Sequence, residues 1–413
     1  MLKYYFLSAL VFIIFTAQAD EPFTFVDTQV MSMTGLNERD ILQLTRQLTT
    51  PFEKPEEKVR AVFRWITANL EYDTDIVKGL HQRARTAQEV LTRKKDVCSG
   101  YAMLFKAMMD NLGIECAIIN GHSKGYSYDI GHLFDERNSH AWNAVKINNQ
   151  WYLIDATWGA GYIDGNRFVR SYNDYYFFTP PQELIHTHYP EERHWQLLDK
   201  KVTREEFENF VYLKPAYFKH HLQTSSHANY TIDADDAVQV KVWTPEDILV
   251  GASIYYGNNQ LDQNFVFIQR NKDLWEINAC FTDADSYILR LFAKRREKEG
   301  PYDWALEYRV KTRKSAEGAI GYPKQYMAFE QYKTYLYRPL TRFLPPGREA
   351  TFRLRLQKAG KVALIHGETF EFFTEKQGLF EGKFIIPKGK FFIAASPPGS
   401  NQFSYLLEYE GWE

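Results

Sequence analysis

Hydrophobic positions along this chain change their period near its middle. Val59, Val62, Phe63, Ile66 and Leu70 recur at helical spacing behind Pro55-Glu56-Glu57, where a proline and two acidic side chains suit a first helical turn. The spacing predicts a helix there, with Trp65 as a core aromatic, and shorter helices over 37–49 and 86–91. Past Cys98, residues Tyr101, Leu104, Phe105, Met108 and Leu112 continue the helical rhythm, and Gly113 stands where a C-terminal cap belongs. Cys98 therefore falls at a helix N-terminus. The period then shortens to two: 116–120, 140–147 and 151–158 read as strands, the last two joined by Asn148-Asn149, residues that tolerate the positive φ of a tight hairpin. Beyond about residue 210 short alternating runs dominate, among them 238–242, 304–310, 351–356 and 361–365, with Pro345-Pro346-Gly347 and Pro397-Pro398-Gly399 as turns.

Length sets the number of cores. With 413 residues the chain exceeds what one ordinary core organises. The pattern divides it into an N-terminal helical extension at 20–52, an α+β domain at 53–210, and two β-sandwiches at 211–318 and 319–413. Ahead of these, Lys3, the apolar run 4–15 and Ala17-Gln18-Ala19 compose a secretory signal peptide at 1–19, with cleavage expected after Ala19. The run falls short of the roughly 20 apolar residues of a membrane span. No span is expected after cleavage, and the mature chain is expected to be secreted or periplasmic.

Composition narrows the partners. A net charge of -2 gives no electrostatic reason for nucleic acid or an anionic membrane. Hydrophobic residues at 45% and charged residues at 25% exclude a disordered chain. The mixed-sign run 294–298 reads as a solvated hairpin tip. Only Cys98, Cys116 and Cys280 occur, an odd number without a disulfide framework, which leaves at least one free thiol and favours a bacterial periplasmic or surface protein. Cys116 and Cys280 sit in strand-like apolar runs and read as small packing residues.

Cys98 differs from both. A thiol reacts as thiolate, and a helix N-terminus with a neighbouring imidazolium lowers its pKa. His140 can supply the imidazole, and Asp155 the carboxylate that fixes its tautomer. Strand parity tests the pair: with a two-residue turn, Ile147 faces Gln150, and Asp155 falls opposite Trp142, diagonal to His140 on the same face. A three-residue turn would separate them. No Cys-x-x-Cys or His-Glu-x-x-His pattern occurs, and His186 and His188 read as structural loop residues, so no metal or cofactor is expected.

These residues carry a resemblance. Asp96-Val97-Cys98-Ser99-Gly100-Tyr101-Ala102, Asn111-Leu112-Gly113-Ile114, His140-Ala141-Trp142-Asn143 and 151–159 resemble the transglutaminase-like domain, as does the stretch from Arg64-Trp65-Ile66 to Glu71-Tyr72-Asp73. Tyr176-Phe177-Phe178-Thr179-Pro180-Pro181, His188-Tyr189-Pro190 and 195–198 resemble the kyphoscoliosis peptidase branch, and 322–394 resembles the Ig-like modules that follow its catalytic domain. The resemblance implies an α+β, papain-like catalytic domain followed by all-β Ig-like sandwiches. It implies thiolate attack by Cys98 on an amide carbonyl of a protein or peptide substrate, with His140 as base then acid and Asp155 as orienter. Water as acceptor makes a peptidase or deamidase, an amine a crosslinking transglutaminase. The Cys98 N–H is one expected oxyanion donor. The large β half supports an alternative: a catalytically silent adhesion or scaffold protein whose sandwiches bind an extracellular or cell-envelope partner.

Overall fold

The computed structural model describes residues 23–128 and 133–412, so the expected signal peptide lies outside the described residues. The chain forms two compact units, one of residues up to 120 with 140–180, the other of 121–139 with 181 onward.

The first unit opens with helices α1 (Thr24–Ser32), α2 (Ile41–Thr49) and α3 (Pro55–Asn69). α2 starts later than its hydrophobic pattern suggested because the Asp40 side chain caps it, accepting from the Gln43 N–H at 2.8 Å. α3 buries Val59, Val62, Phe63, Trp65 and Ile66, the face its period marks. Arg60 on this helix donates twice to the Asp27 carboxylate of α1, at 2.7 Å each.

Strand β1 (Glu71–Tyr72), short helices α4 (Thr74–Val77) and α5 (Ala87–Arg93), and strand β2 (Lys95–Asp96) then lead into helix α6 (Cys98–Asn111). Gly113, at φ +66°, closes α6 in the left-handed conformation that glycine adopts without cost. Strands β3 (Cys116–Ser123), β4 (Ser139–Ile147), β5 (Gln150–Ile154) and, after helix α7 (Ala156–Ala160) and the hairpin β6 (Gly161–Asp164) with β7 (Arg167–Arg170), β8 (Phe177–Thr179) complete the unit. Four strands run in the order β8-β5-β4-β3. Ile147 pairs with Gln150 across Asn148 and Asn149, both at positive φ (51° and 63°), so the turn has two residues and the expected parity holds.

Two features fix where α6 begins. Asp96, fully buried, accepts from the Val97 and Ala84 N–H groups at 2.8 Å each. Gly100 packs its Cα against that carboxylate, since an added Cβ would lie 2.5 Å from Asp96 Cβ. At the other side Asn143 Nδ2 donates to Ala102 O (3.1 Å) and Ala117 O (3.2 Å), tying α6 to β3 and β4.

In the second unit Gly121–Ser123, the end of β3, pair antiparallel with β9 (His188–Pro190). Helix α8 (Pro181–Leu184) precedes β9 and helix α9 (Arg204–Asn209) follows it, α9 opening on a capping box of Thr203 and Glu206. Under α9 lies Lys124, 1% exposed, its Nζ donating to Phe210 O at 3.2 Å and sitting 4.7 Å over the Phe207 ring. Burial pushes its pKa down to about 7, with Glu208 opposing.

Two β-sandwiches complete the second unit. In the first, the sheet carrying Ala237–Trp243, Leu274–Cys280 and Val266–Asn271 faces the sheet carrying Ile248–Tyr256, Ser286–Arg295 and Asp303–Thr312, around Val240, Ile277, Leu289, Leu291 and Tyr308. In the second, Glu349–Arg355 and Leu379–Ile385 face Lys361–His366, Gly389–Ser396 and Ser404–Gly411 around Phe352, Phe391 and Tyr409. The runs 238–242, 304–310 and 361–365 fall inside these strands, and 351–356 overruns its strand by one residue, Leu356. Phe267 of the first sandwich packs in the core of the second, and Gln269 Oε1 accepts from the Leu336 N–H at 2.9 Å.

Two stability predictions follow from buried groups. In an exposed helix Gly→Ala stabilises by about 1 kcal/mol. Gly100→Ala should instead destabilise by about 1–3 kcal/mol in urea unfolding, because its methyl overlaps Asp96. Lys124 has a folded pKa below its unfolded value, so wild-type stability falls as pH drops from about 10.5 to 7 and is level below that. Lys124→Met should raise stability at pH 7 by about 1–3 kcal/mol. Urea titrations at pH 7 and 10 should show the gain shrinking at the higher pH.

Candidate active site

The structure brings Cys98, His140 and Asp155 together within the first unit. Cys98 is the first residue of α6, partly exposed, where the positive end of the helix favours a thiolate. His140 enters from β4 and is buried. Its Nε2 lies 2.7 Å from Asp155 Oδ2, with both side chains almost fully enclosed. With Nε2 donating to that carboxylate, Nδ1 is the ring nitrogen left for Cys98, with which the imidazole interacts electrostatically.

Asp155 differs from its sequence reading in one respect. The pattern predicts a strand over 151–158, but β5 stops at Ile154, and Asp155 is the N-cap of α7. Its Oδ1 accepts from the Thr157 N–H (2.8 Å) and the Trp158 N–H (3.0 Å), and its own N–H donates to Tyr176 O (3.0 Å). Asp-Ala-Thr reads as an extended run and equally as a helix start, and the capping bonds decide it. α7 then fits against α3 at Gly159, where a Cβ would lie 2.6 Å from Phe63 Cζ.

The charges follow from this geometry. Burial opposes ionisation of Cys98, but the His140 charge, its hydrogen bond and the Ala141 N–H outweigh it and lower the thiol pKa. Burial likewise opposes protonation of His140, yet Asp155 and Cys98 together raise its pKa well above the usual imidazole range. Each partner favours the other's charged form, the direction toward a thiolate–imidazolium pair. The other thiols behave oppositely: burial pushes Cys116 and Cys280 up to about 12, and both are free.

Sequence reasoning did not find the Ala141 N–H, although that residue follows His140 directly. It also missed the indoles of Trp142 and Trp158, whose rings lie 6.0 Å and 5.6 Å from the His140 ring. Tyr72 is a further neighbour: its phenol and Cys98 interact electrostatically. His186 and His188 are buried against their surroundings, and His188 opens β9 instead of lying in a loop. Asp73, Asp75 and His81 bring ligand atoms within 4.8 Å of one another. Their charges are already met, Asp73 by His81 (3.1 Å) and Lys95 (3.8 Å), and Asp75 by Lys78 (3.0 Å).

Comparison with known proteins agrees with this fold. The family model described as transglutaminase-like superfamily matches residues 42–156, and the model described as KY-like, immunoglobulin-like domain matches 204–323. Kyphoscoliosis peptidase of Mus musculus is 36% identical over 193 residues, 46% of this chain and 28% of the mouse protein. The Homo sapiens protein of that name is 35% identical over 193 residues, with the same shares. Hillarin of Drosophila melanogaster is 29% identical over 245 residues, 54% of this chain and 29% of hillarin. The matches thus span less than a third of the length of these relatives. This chain carries a transglutaminase-like superfamily domain followed by a KY-like, immunoglobulin-like domain.

Proposed function

We propose that the chain is a thiol enzyme acting on amide bonds of proteins or peptides through an acyl-enzyme. The observation that carries this reading is the Asp155–His140 bond of 2.7 Å, with the imidazole interacting electrostatically with Cys98 at the head of α6. The Cys98 thiolate attacks the amide carbonyl carbon, and the C–N bond breaks as His140 protonates the leaving amine. Neutral His140 then takes a proton from water or an acceptor amine, which attacks the thioester and releases Cys98. The leader-like segment ahead of residue 20 supports export as part of the proposal, and the tandem sandwiches support contact with a cell-envelope or extracellular partner.

One observation favours a second reading, a binding protein without catalysis. The outer face of the C-terminal sandwich exposes Phe370 (44%), Phe372 (56%) and Tyr405 (42%), with Phe403 packed 5.5 Å from Phe370. Such an aromatic face suits a partner.

Thiol titration separates the two. Iodoacetamide should label Cys98 at pH values well below the roughly 8.5 of an ordinary thiol, and His140→Ala should return the midpoint to about that value. Peptide mapping assigns the label, since Cys116 and Cys280 titrate higher still. Labelling of Cys98 only near pH 8.5 in both proteins would favour the binding reading.

The two roles of Asp155 can be separated as well. Asp155→Asn retains an oxygen for the Thr157 and Trp158 N–H groups but turns an –NH2 toward His140, forcing the wrong tautomer. Ester hydrolysis should fall by about 10⁴-fold with little change in melting temperature. Asp155→Ala should lose similar activity and also about 1 kcal/mol of stability, because α7 loses its cap.

A further inference from the structure

Thiolate attack on a carbonyl moves the C=O π pair onto oxygen, and that charge needs two donors. The Cys98 N–H is one, since helix geometry leaves a first-turn N–H without an intrahelical acceptor. The structure brings a second group to the same place. β1 runs parallel to β2 with Tyr72 opposite Asp96, two residues before Cys98, and the Asp73 N–H donates to Asp96 O at 3.0 Å. Glu71 faces solvent, so Tyr72, on the other side of the strand, turns inward and is half-buried. Its phenol lies within electrostatic reach of Cys98, Arg83 and Asp155.

We propose that the Tyr72 hydroxyl is the second oxyanion donor, facing the Cys98 N–H across the reacting carbonyl. The inference rests on Cys98 being the nucleophile. In this arrangement the C–S bond forms, the oxyanion accepts from the Cys98 N–H and the Tyr72 O–H, and collapse restores C=O as the leaving group departs with the His140 proton. Tyr72 keeps its own proton throughout. Burial, and then the charge of Cys98, push its ionisation well above the ordinary phenol range, so it remains a donor wherever Cys98 is a thiolate.

Two reactions of the same sulfur test the assignment. Iodoacetamide alkylation is a displacement at saturated carbon and forms no oxyanion, whereas acylation by p-nitrophenyl acetate passes through a tetrahedral one. In the full chain, Tyr72→Phe should alkylate like wild type but acylate about 100-fold more slowly. Tyr101→Phe is the control: this phenol, one turn along α6, is buried with no hydrogen-bond partner among the described residues, and both of its rates should match wild type. Undiminished acylation in Tyr72→Phe overturns the proposal. So does a parallel fall of both its rates, which would place Tyr72 on the thiolate or on the integrity of the site, and so does an equal acylation loss in Tyr101→Phe. A wild-type Cys98 that alkylates only as an ordinary thiol overturns the nucleophile reading itself, an outcome distinct from the other three.

Discussion

One buried carboxylate holds the first unit's chemistry and its architecture together. The two oxygens of Asp155 act on different elements, Oδ1 starting α7 by accepting two backbone N–H groups and Oδ2 holding the His140 ring. A carboxylate this enclosed is tolerated only when its acceptor capacity is filled by donors. The capping bonds therefore do more than begin a helix. They fix the side chain in the one orientation that points its second oxygen at β4, and His140 thereby presents its remaining nitrogen to α6.

The same logic extends outward. Cys98 is useful only if the start of α6 is fixed relative to β4, and buried polar groups at both sides fix it. Asp96 anchors the chain just before the helix through Val97 and Ala84, with Gly100 seated against it. Asn143, three residues past His140, bonds Ala102 and Ala117. The bonds to Ala84, Ala102 and Ala117 join segments 12 to 41 residues apart, so the site is held by the surrounding polar framework more than by any single element. Lys124 of the second unit is buried with less return: it sits among aromatic rings with one carbonyl as hydrogen-bond partner among the described residues, and its lowered pKa records the cost.

Much of this was legible in the sequence, because it rests on local periodicity. The 3.6 rhythm from Tyr101 to Leu112 and the glycine after it located Cys98 at a helix head. The dipeptide Asn148-Asn149 set a two-residue turn, and the turn set the parity that brings Asp155 to His140. Alternation likewise found the sandwich strands. What stayed hidden depends on contacts between distant segments or on a choice between two local structures. Asp-Ala-Thr fits a strand end as well as a helix start, and only the bonds to Thr157 and Trp158 decide. Tyr72 lies 26 residues before Cys98, and no spacing rule connects them; the parallel pairing of β1 with β2 does.

The three thiols give the best physical reason to treat this constellation as more than packing. All three sit where burial disfavours a thiolate. For Cys116 and Cys280 burial prevails and the pKa rises, as expected of cysteines that fill space between strands. At Cys98 alone the direction reverses, because a buried imidazole, itself held by a buried carboxylate, stands beside the sulfur together with the Ala141 N–H. Enclosing three titratable groups at one point costs free energy that apolar side chains of similar volume would not, so the arrangement contributes little to stability for its own sake. Its distinct product is a thiol whose pKa is held below the ordinary range beside an imidazole whose pKa is raised, the pair that the proposed thiol chemistry requires.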